Sequence, residues 1–492
     1  MKLSDLIEEI SFYVKSIQNK EINDLIINDI KSHHEHITKG DLFICLSGFT
    51  FDGHQFAQKA EALGAVAILA EREVDVSIPV IILSSTKLAL AKIACHFYEY
   101  PSANLSLFGI TGTNGKTTIA YLLNDIFTKH NERTGMIGTI ETKIGNQRIP
   151  NSLTTPDVLT IQKTLAKMVE AKVTTVFMEV SSHALALGRV HGCDFDVAIF
   201  SNLTQDHLDF HESMTDYLYV KSLLFSQLGN KYQRKRKKFA IINRDDKHYP
   251  FLSTTTAQHI LTYSCEREAD FTAKDIDLSV KETRFTLCTP KGEVRIFTPL
   301  IGQFNVSNML AAAAAAVVKG VPLNIIKQAL ENPSTIQGRF EVLETNTDFA
   351  IIVDYAHTPD SLKKVLQTLK SLSKGDLYVV VGCGGDRDRA KRPLMAKAAV
   401  NYATKAIFTS DNPRSEEPLS IIEDMTKQLT ETNYIVEIDR KKAIDLAVKL
   451  AKENDIILIA GKGHETYQEI KGIKYDFDDR LVAKEAVEKK EN

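Results

Sequence analysis

Residues 105–118 read LSLFGITGTNGKTT, and how this stretch is read decides the fold. An apolar, partly β-branched run ends in a loop with glycines at 109, 112 and 115; Lys116, Thr117 and Thr118 follow, then the helical pattern IAYLLNDIF from Ile119. A strand, a phosphate loop and a helix are predicted. Glycines let the backbone approach phosphate oxygens, the helix N-terminus offers free N–H groups and a partial positive charge, and a lysine at this place reaches the β- and γ-phosphates. Gly112, Thr113, Asn114, Gly115, Lys116, Thr117 and Thr118 are the candidate nucleotide-binding loop, with the Thr117 hydroxyl a candidate Mg²⁺ ligand. The strict pattern G-x-x-x-x-G-K-[ST] wants glycine where Ile110 stands, so a Gly-rich turn is the plain alternative. The strand before, the helix after and the GKTT core all favour nucleotide.

A chain of 492 residues is expected to form about three domains, each large enough for its own core. The hydrophobic fraction of 43% and charged fraction of 25% are those of an ordinary globular protein. A net charge of -3 provides no basic field for nucleic acid. QRKRKK at 233–238 is the one strongly basic run and reads as a solvated loop. Cysteines at 45, 95, 193, 265, 288 and 383 have no metal-ligand spacing and read as reduced thiols. With acidic residues in MKLSDLIEEISFYV no export signal is expected there, and MLAAAAAAVV at 309–318 is too short to cross a bilayer. A cytoplasmic protein without membrane insertion is expected.

Outward from the loop, residues 1–104 carry short helix and strand signals, among them GDLFICL, AVAILA and SIPVIIL. GFTFDGHQF at 48–56 places His54 in a turn, and HHEH at 33–36 reads as a polar loop rather than a metal site, since its three histidines cannot all face one ion. In 105–333, VTTVFMEVSSHAL predicts a strand ending in Glu179, and DVAIFSNLTQDHLDFH a strand ending in Asn202, Asp206, His207, Asp209 and His211. Ligands sit at such strand ends, and these groups could place Mg²⁺ beside the phosphate loop or merely cap turns. Lys221, on the helical stretch 216–228, reads by residue type as a solvent-facing charge. Asn305 and Asn308, one helical turn apart, suit an adenine edge or a helix cap.

PSTIQGRFEV at 333–342 reads as the joint to a third domain, 334–492, where strands and helices alternate. Alternation predicts βαβ units and a parallel doubly wound sheet. Its strand ends carry Asp354 and His357, GCGGDRDR at 382–389, DNPRSEEP at 411–418 and GKGHET at 461–466. Arg387 and Arg414 at neighbouring tips could clamp a carboxylate.

Taken together, GITGTNGKTT, EVSSHALALGRV, SNLTQDHLDFH, YLYVKSLLF, GQFNVSNMLAA, GRFE, VDYAHTPDSL, GGDRDRAKRP, TSDNPRSEEP and AGKGHET resemble the ATP-dependent Mur ligases of peptidoglycan precursor synthesis. The resemblance implies an α/β fold of three domains: a UDP-sugar domain (1–104), a central P-loop-type ATPase domain (105–333) and a C-terminal Rossmann-like doubly wound sheet (334–492). It implies an amide ligase that activates a carboxylate as an acyl phosphate, with ATP as co-substrate, Mg²⁺ as cofactor and a UDP-muramoyl-dipeptide as acceptor.

By the same resemblance, Lys116, Glu179, His207 and Lys221 are catalytic, and Thr117, Glu179, His207 and Lys221, the last as N6-carboxylysine, hold the metal. Asn305, Arg339 and Asp354 contact ATP; His54, Thr154, Thr155, Ser181 and Arg189 contact the UDP-sugar substrate. Arg387, Asp411, Asn412, Pro413, Arg414, Gly461 and Glu465 form the amino-acid pocket, DNPR being the form that takes meso-diaminopimelate. A buried, unpaired Arg414 would disfavour an amino acid ending in an amine alone. HHEH stands where relatives show D-S-R, and Leu153 where they show asparagine. The alternatives are the same reaction with L-lysine, a folylpolyglutamate-synthetase-like ligase, or a P-loop switch without ligase activity. The small-molecule substrates are the only partners implied, and a monomer is expected.

Overall fold

The apolar run before the glycine loop forms the strand Ser106–Thr111, all but its first residue buried, and Gly115 caps the helix Lys116–Lys129 that follows. The computed structural model describes residues 1–18, 22, 24–47, 52–151, 153–230, 236–279 and 282–491. Residues 48–51 of the His54 stretch and 233–235 of the basic run fall outside them. Two compact units emerge, Met1–Gly109 with Glu132–Asp196, and Ile110–Asn131 with Val197–Asn492.

In the first unit a five-stranded sheet runs in the order Val14–Gln18, Val80–Leu83, Ala67–Ala70, Leu42–Ile44, Ile30–Lys31, parallel except for its first strand. Uninterrupted runs such as AILA and VIIL are what strands buried on both faces require. The helix Thr86–Phe97, capped by Ser85, covers this sheet. The helix Val158–Glu170, capped by Asp157, inserts Val158 and Leu159 into the same core, and Lys163 pairs with Asp29 at 2.6 Å. Compactness therefore groups the chain differently from a division at 104, because the later segment buries apolar side chains among the earlier ones. Thr175–Glu179 pairs in parallel with Thr134–Ile137, which continues antiparallel into Glu141–Ile144 and Gln147–Pro150.

In the second unit Val197–Phe200, Phe239–Asn243, His259–Ser264 and Phe271–Leu278 are parallel, extended by the antiparallel hairpin Thr283–Thr289 and Gly292–Thr298. The alanine run is the buried helix Gln303–Val318, whose small side chains allow close packing. Among the described residues no helix is long and apolar enough to cross a membrane.

The same unit holds a six-stranded sheet in the order Glu341–Val342, Ala350–Asp354, Ile456–Ala460, Leu377–Val381, Lys405–Phe408, Tyr434–Val436, parallel apart from the first. Side chains alternate along each strand into two cores. Ile352, Val379 and Leu458 meet the helices Pro359–Leu372, Lys391–Tyr402 and Pro418–Thr426; Val353, Val380 and Ile459 meet Arg440–Leu450 and Asp479–Glu491. The reason is the handedness of parallel crossovers. The first three connections advance across the sheet, whereas the fourth returns to insert Ile456–Ala460, so its helix lies on the opposite face. The doubly wound expectation holds. A two-stranded hairpin, Tyr467–Ile470 with Ile473–Asp476, was not anticipated.

Candidate active site

The phosphate loop is closed by its strand-end neighbours within the second unit. Gly112 (φ +141°) and Gly115 (φ +89°) have no room for a side chain: a Cβ would overlap Ser201 Oγ at the first and Asn308 Oδ1 at the second. Thr113 N donates to Asn202 O (2.8 Å) and Asn114 N to Asn202 Oδ1 (3.0 Å), so the SNLT turn sets the loop. Lys116 Nζ donates to the carbonyls of Gly112 and Thr113, each at 2.9 Å. Thr117 and Thr118 are buried in the first helical turn, and Thr117 Oγ1 accepts from Arg339 Nη2 at 3.1 Å. The Arg339 guanidinium lies 4.5 Å from the centre of the Tyr355 ring. Asn305 Nδ2 donates to Ile301 O (2.9 Å) and Asn308 Nδ2 to Asn305 Oδ1 (3.3 Å), ties that anchor the helix entry.

Lys221 overturns its solvent-facing reading. On the helix Met214–Ser226 it is buried, with Nζ 2.9 Å from Gly112 O and 4.5 Å from the centre of the Tyr217 ring. Burial, reinforced by the neighbouring Lys116 charge, pushes its amine well below the ordinary lysine range. The buried Asp206 carboxylate lies 3.4 Å from His207 Nε2 and 3.8 Å from His357 Nε2. Burial raises the Asp206 carboxyl, but His207, His357 and Lys391 outweigh it and hold the group at about 2. His357 is pushed down by burial, against the pull of Asp206. Asp354 accepts from Phe340 N at 2.6 Å; burial pushes its carboxyl up, and Arg339 opposes this. His211 pairs instead with Asp216 at 3.2 Å. Among the described residues no three His, Cys, Asp or Glu side chains converge to hold a metal.

Within the first unit Glu179, Thr154, Thr155, Ser181 and Arg189 come together. Glu179 Oε1 accepts from Thr139 N and Oε2 from Thr139 Oγ1, both at 2.9 Å, and Thr139 Oγ1 lies 3.1 Å from Thr154 Oγ1. Thr155 Oγ1 donates to Glu179 O (2.7 Å), Ser181 N to Thr155 Oγ1 (3.1 Å) and Arg189 Nη1 to Thr155 O (3.0 Å). His54 is committed elsewhere, with Nδ1 2.7 Å from Asp52 Oδ1 and Nε2 accepting from Glu71 N at 2.9 Å. HHEH is no polar loop: His34–His36 is a short 3₁₀ helix, and the buried His34 ring stacks on Phe56 with centroids 4.2 Å apart. The aromatic side chain of Phe56, absent from any local reading of HHEH, explains the difference.

At the C-terminal strand tips Asp411, Asn412 and Pro413 are buried, and Arg414 adopts φ +51°. Arg414 Nη1 donates to Gly385 O at 2.8 Å, while Arg387 is exposed. Asn412 Nδ2 donates to Glu465 Oε2 (2.8 Å), and the fully buried Lys462 Nζ bridges Asn412 Oδ1 (3.1 Å) and Glu465 Oε2 (3.0 Å). Gly461, at φ +114°, brings its backbone against Asp411, where a Cβ would come within 2.6 Å of Oδ2. Sequence reasoning missed Lys462 and the hairpin residues Gln468 and Glu469. The signal was present in YQEIKGIKYD, a two-residue Lys-Gly turn between alternating strands.

Three family descriptions match the chain: Mur ligase family, catalytic domain, over residues 30–98; Mur ligase middle domain over 110–316; and Mur ligase, glutamate ligase domain over 338–463. The chain is 50% identical over 494 residues, covering 100% of both chains, to the Oceanobacillus iheyensis protein named UDP-N-acetylmuramoyl-L-alanyl-D-glutamate--2,6-diaminopimelate ligase. A solved structure of a ligase of that name superposes with TM-score 0.69 at 33% identity, over 99% of each chain. The ADP complex of the Thermotoga maritima MurF ligase shares the fold at TM-score 0.64 and 18% identity, over 95% of this chain and 98% of that one.

Proposed function

Since the chain belongs to the Mur ligase family, we propose that it joins meso-diaminopimelate to UDP-N-acetylmuramoyl-L-alanyl-D-glutamate at the expense of ATP, in peptidoglycan precursor synthesis. The observation that carries the amino-acid assignment is Arg414, whose guanidinium is set beside Gly385 at the tip of the DNPR loop. A planar cation there suits a distal carboxylate.

The chemistry follows from a poor electrophile. A carboxylate resists amines, and transfer of the γ-phosphoryl of ATP to its oxygen releases ADP and leaves an acyl phosphate. The amine attacks that carbonyl, loses a proton, and the tetrahedral intermediate expels phosphate to leave the amide. Phosphoryl transfer needs mainly positioning and charge neutralisation, which the loop N–H groups and Lys116 would supply. Asn305, Arg339 and Asp354 would hold the nucleotide. Thr154, Thr155, Ser181 and Arg189, with His54 toward the uridine end, would hold the muramoyl substrate. Arg387, Asp411, Asn412, Pro413, Arg414, Gly461 and Glu465 would hold the amino acid.

Mg²⁺ prefers a few oxygen donors and keeps its remaining places for phosphate and water. By donor type, the Thr117 hydroxyl, the Glu179 carboxylate and a carbamate on Lys221, with His207 as a nitrogen donor, would be its ligands. The buried Lys221 amine, held low by burial and Lys116, is disposed to be neutral and to take up CO₂. Bound there, Mg²⁺ would neutralise phosphate charge. We further propose that labour divides along the chain as 1–104, 105–333 and 334–492, and that the protein acts as a cytoplasmic monomer.

The test is phosphate release with ATP, Mg²⁺ and the muramoyl dipeptide, comparing meso-diaminopimelate with L-lysine and wild type with Arg414→Ala. Stimulation by diaminopimelate alone, lost in the variant, is expected. Equal use of lysine would refute the DNPR reading, and release independent of the muramoyl substrate would refute the ligase.

A further inference from the structure

Glu469, on the hairpin strand Tyr467–Ile470, holds the DNPR loop by three of its own groups. Its N–H donates to Asn412 Oδ1 at 2.9 Å, its carbonyl accepts from Arg414 N at 3.0 Å, and its Oε2 stands 3.5 Å from Arg414 Nε. The strand addition continues on both sides, with Lys471 N donating to Arg414 O at 2.6 Å and Gln468 Nε2 to Asp411 O at 2.7 Å. A guanidinium and a carboxylate thus stand side by side at the tip, their side chains 22% and 26% exposed and so both open to a solute. Glu465 differs, because its Oε2 is already answered by the buried Lys462 ammonium and the Asn412 amide.

We propose that Glu469 is a specificity-determining residue of the amino-acid pocket, reading the distal ammonium of a diamino dicarboxylic acid while Arg414 reads the carboxylate on the same carbon. The inference rests on the assignment of the DNPR loop to meso-diaminopimelate. An arginine alone accepts any distal carboxylate, with or without an amine beside it. A carboxylate next to the arginine attracts the ammonium and repels a ligand that brings only negative charge, so the pair selects a zwitterionic end. At 3.5 Å the two side chains are attracted without a short hydrogen bond, and they can open around a ligand to give four charges of alternating sign.

The experiment uses the full chain and steady-state phosphate release with three amino acids: meso-diaminopimelate, its LL isomer, and 2-aminopimelate, which keeps the distal carboxylate but lacks the distal amine. In Glu469→Gln the KM for meso-diaminopimelate is expected to rise about tenfold with kcat little changed, as for loss of one charge contact. The KM for 2-aminopimelate should stay the same or fall, and discrimination between the meso and LL isomers should narrow. Glu469→Asp, which keeps the charge, should retain part of the preference. Equal KM increases for meso-diaminopimelate and 2-aminopimelate would make Glu469 a mere support for Arg414 and overturn the proposal, as would no change. Failure of the underlying assignment is seen separately, in a wild-type protein that ignores meso-diaminopimelate.

Discussion

Lys221 Nζ donates to the carbonyl of Gly112, 2.9 Å away, so a buried lysine on one helix is fastened to the first turn of the phosphate loop. Desolvation and the nearby Lys116 charge make an ammonium there costly, whereas a carbamate would turn the charge negative. Incubation with ¹³C-bicarbonate should give a carbamate carbon resonance that is absent from Lys221→Arg. Lys221→Ala should lose roughly 100-fold or more in kcat, a loss of the size that misplaced reacting groups produce.

Gly112 tests the cradle. Alanine there must adopt φ +141° and meet Ser201 Oγ, so Gly112→Ala should lose about 1–3 kcal/mol of stability together with nucleotide affinity. Gly229, at φ +74° with nothing within 4 Å of a Cβ, is the control. Gly229→Ala should cost about 1–2 kcal/mol of backbone strain and leave ATP binding untouched, as thermal melts with and without ATP would report.

Arg339, proposed to hold the nucleotide, donates to Thr117 Oγ1 at 3.1 Å while lying over Tyr355. Arg339→Ala should raise the KM for ATP about 10- to 100-fold, the range expected for one charged hydrogen bond with its cation–π contact. The KM for the amino acid should change little.

Below the DNPR loop the fully buried Arg392 makes two hydrogen bonds to Glu416, at 2.7 and 3.0 Å. The hydrogen bond from Arg392 outweighs burial and holds the Glu416 carboxyl at about 2, below its ordinary 4.5. A depressed carboxyl stabilises the fold above its unfolded pKa, and that contribution is lost as pH falls. Thermal midpoints of the wild type should therefore decline as pH drops from 4.5 toward 2, and more steeply than those of Glu416→Gln. At neutral pH the variant should be roughly 1–3 kcal/mol less stable, because the buried guanidinium loses the Glu416 charge while keeping Asp424 at 3.0 Å.

Local chemistry decided much of this protein. Gly112 and Gly115 announce a tight loop between strand and helix because glycine alone suits φ +141° and +89° with Ser201 and Asn308 so near. The apolar runs at Val80–Leu83 and Leu377–Val381 announce buried parallel strands because both their faces meet a core. The alternation after residue 340 announces a doubly wound sheet through the handedness of its crossovers.

Tertiary structure alone decided what partners each group acquires. Lys221 looks like any helical lysine until the fold seals it against Gly112 and Tyr217. HHEH looks polar until Phe56 stacks on His34, and Val158 and Leu159 belong to the N-terminal core only once their helix lies there. Glu469 acquires a role only when its hairpin adds to the Asn412–Arg414 backbone. Backbone preference and periodicity are written over a few neighbouring residues, whereas burial and charge pairing depend on groups tens to hundreds of positions away, and chain order does not record which of them will meet.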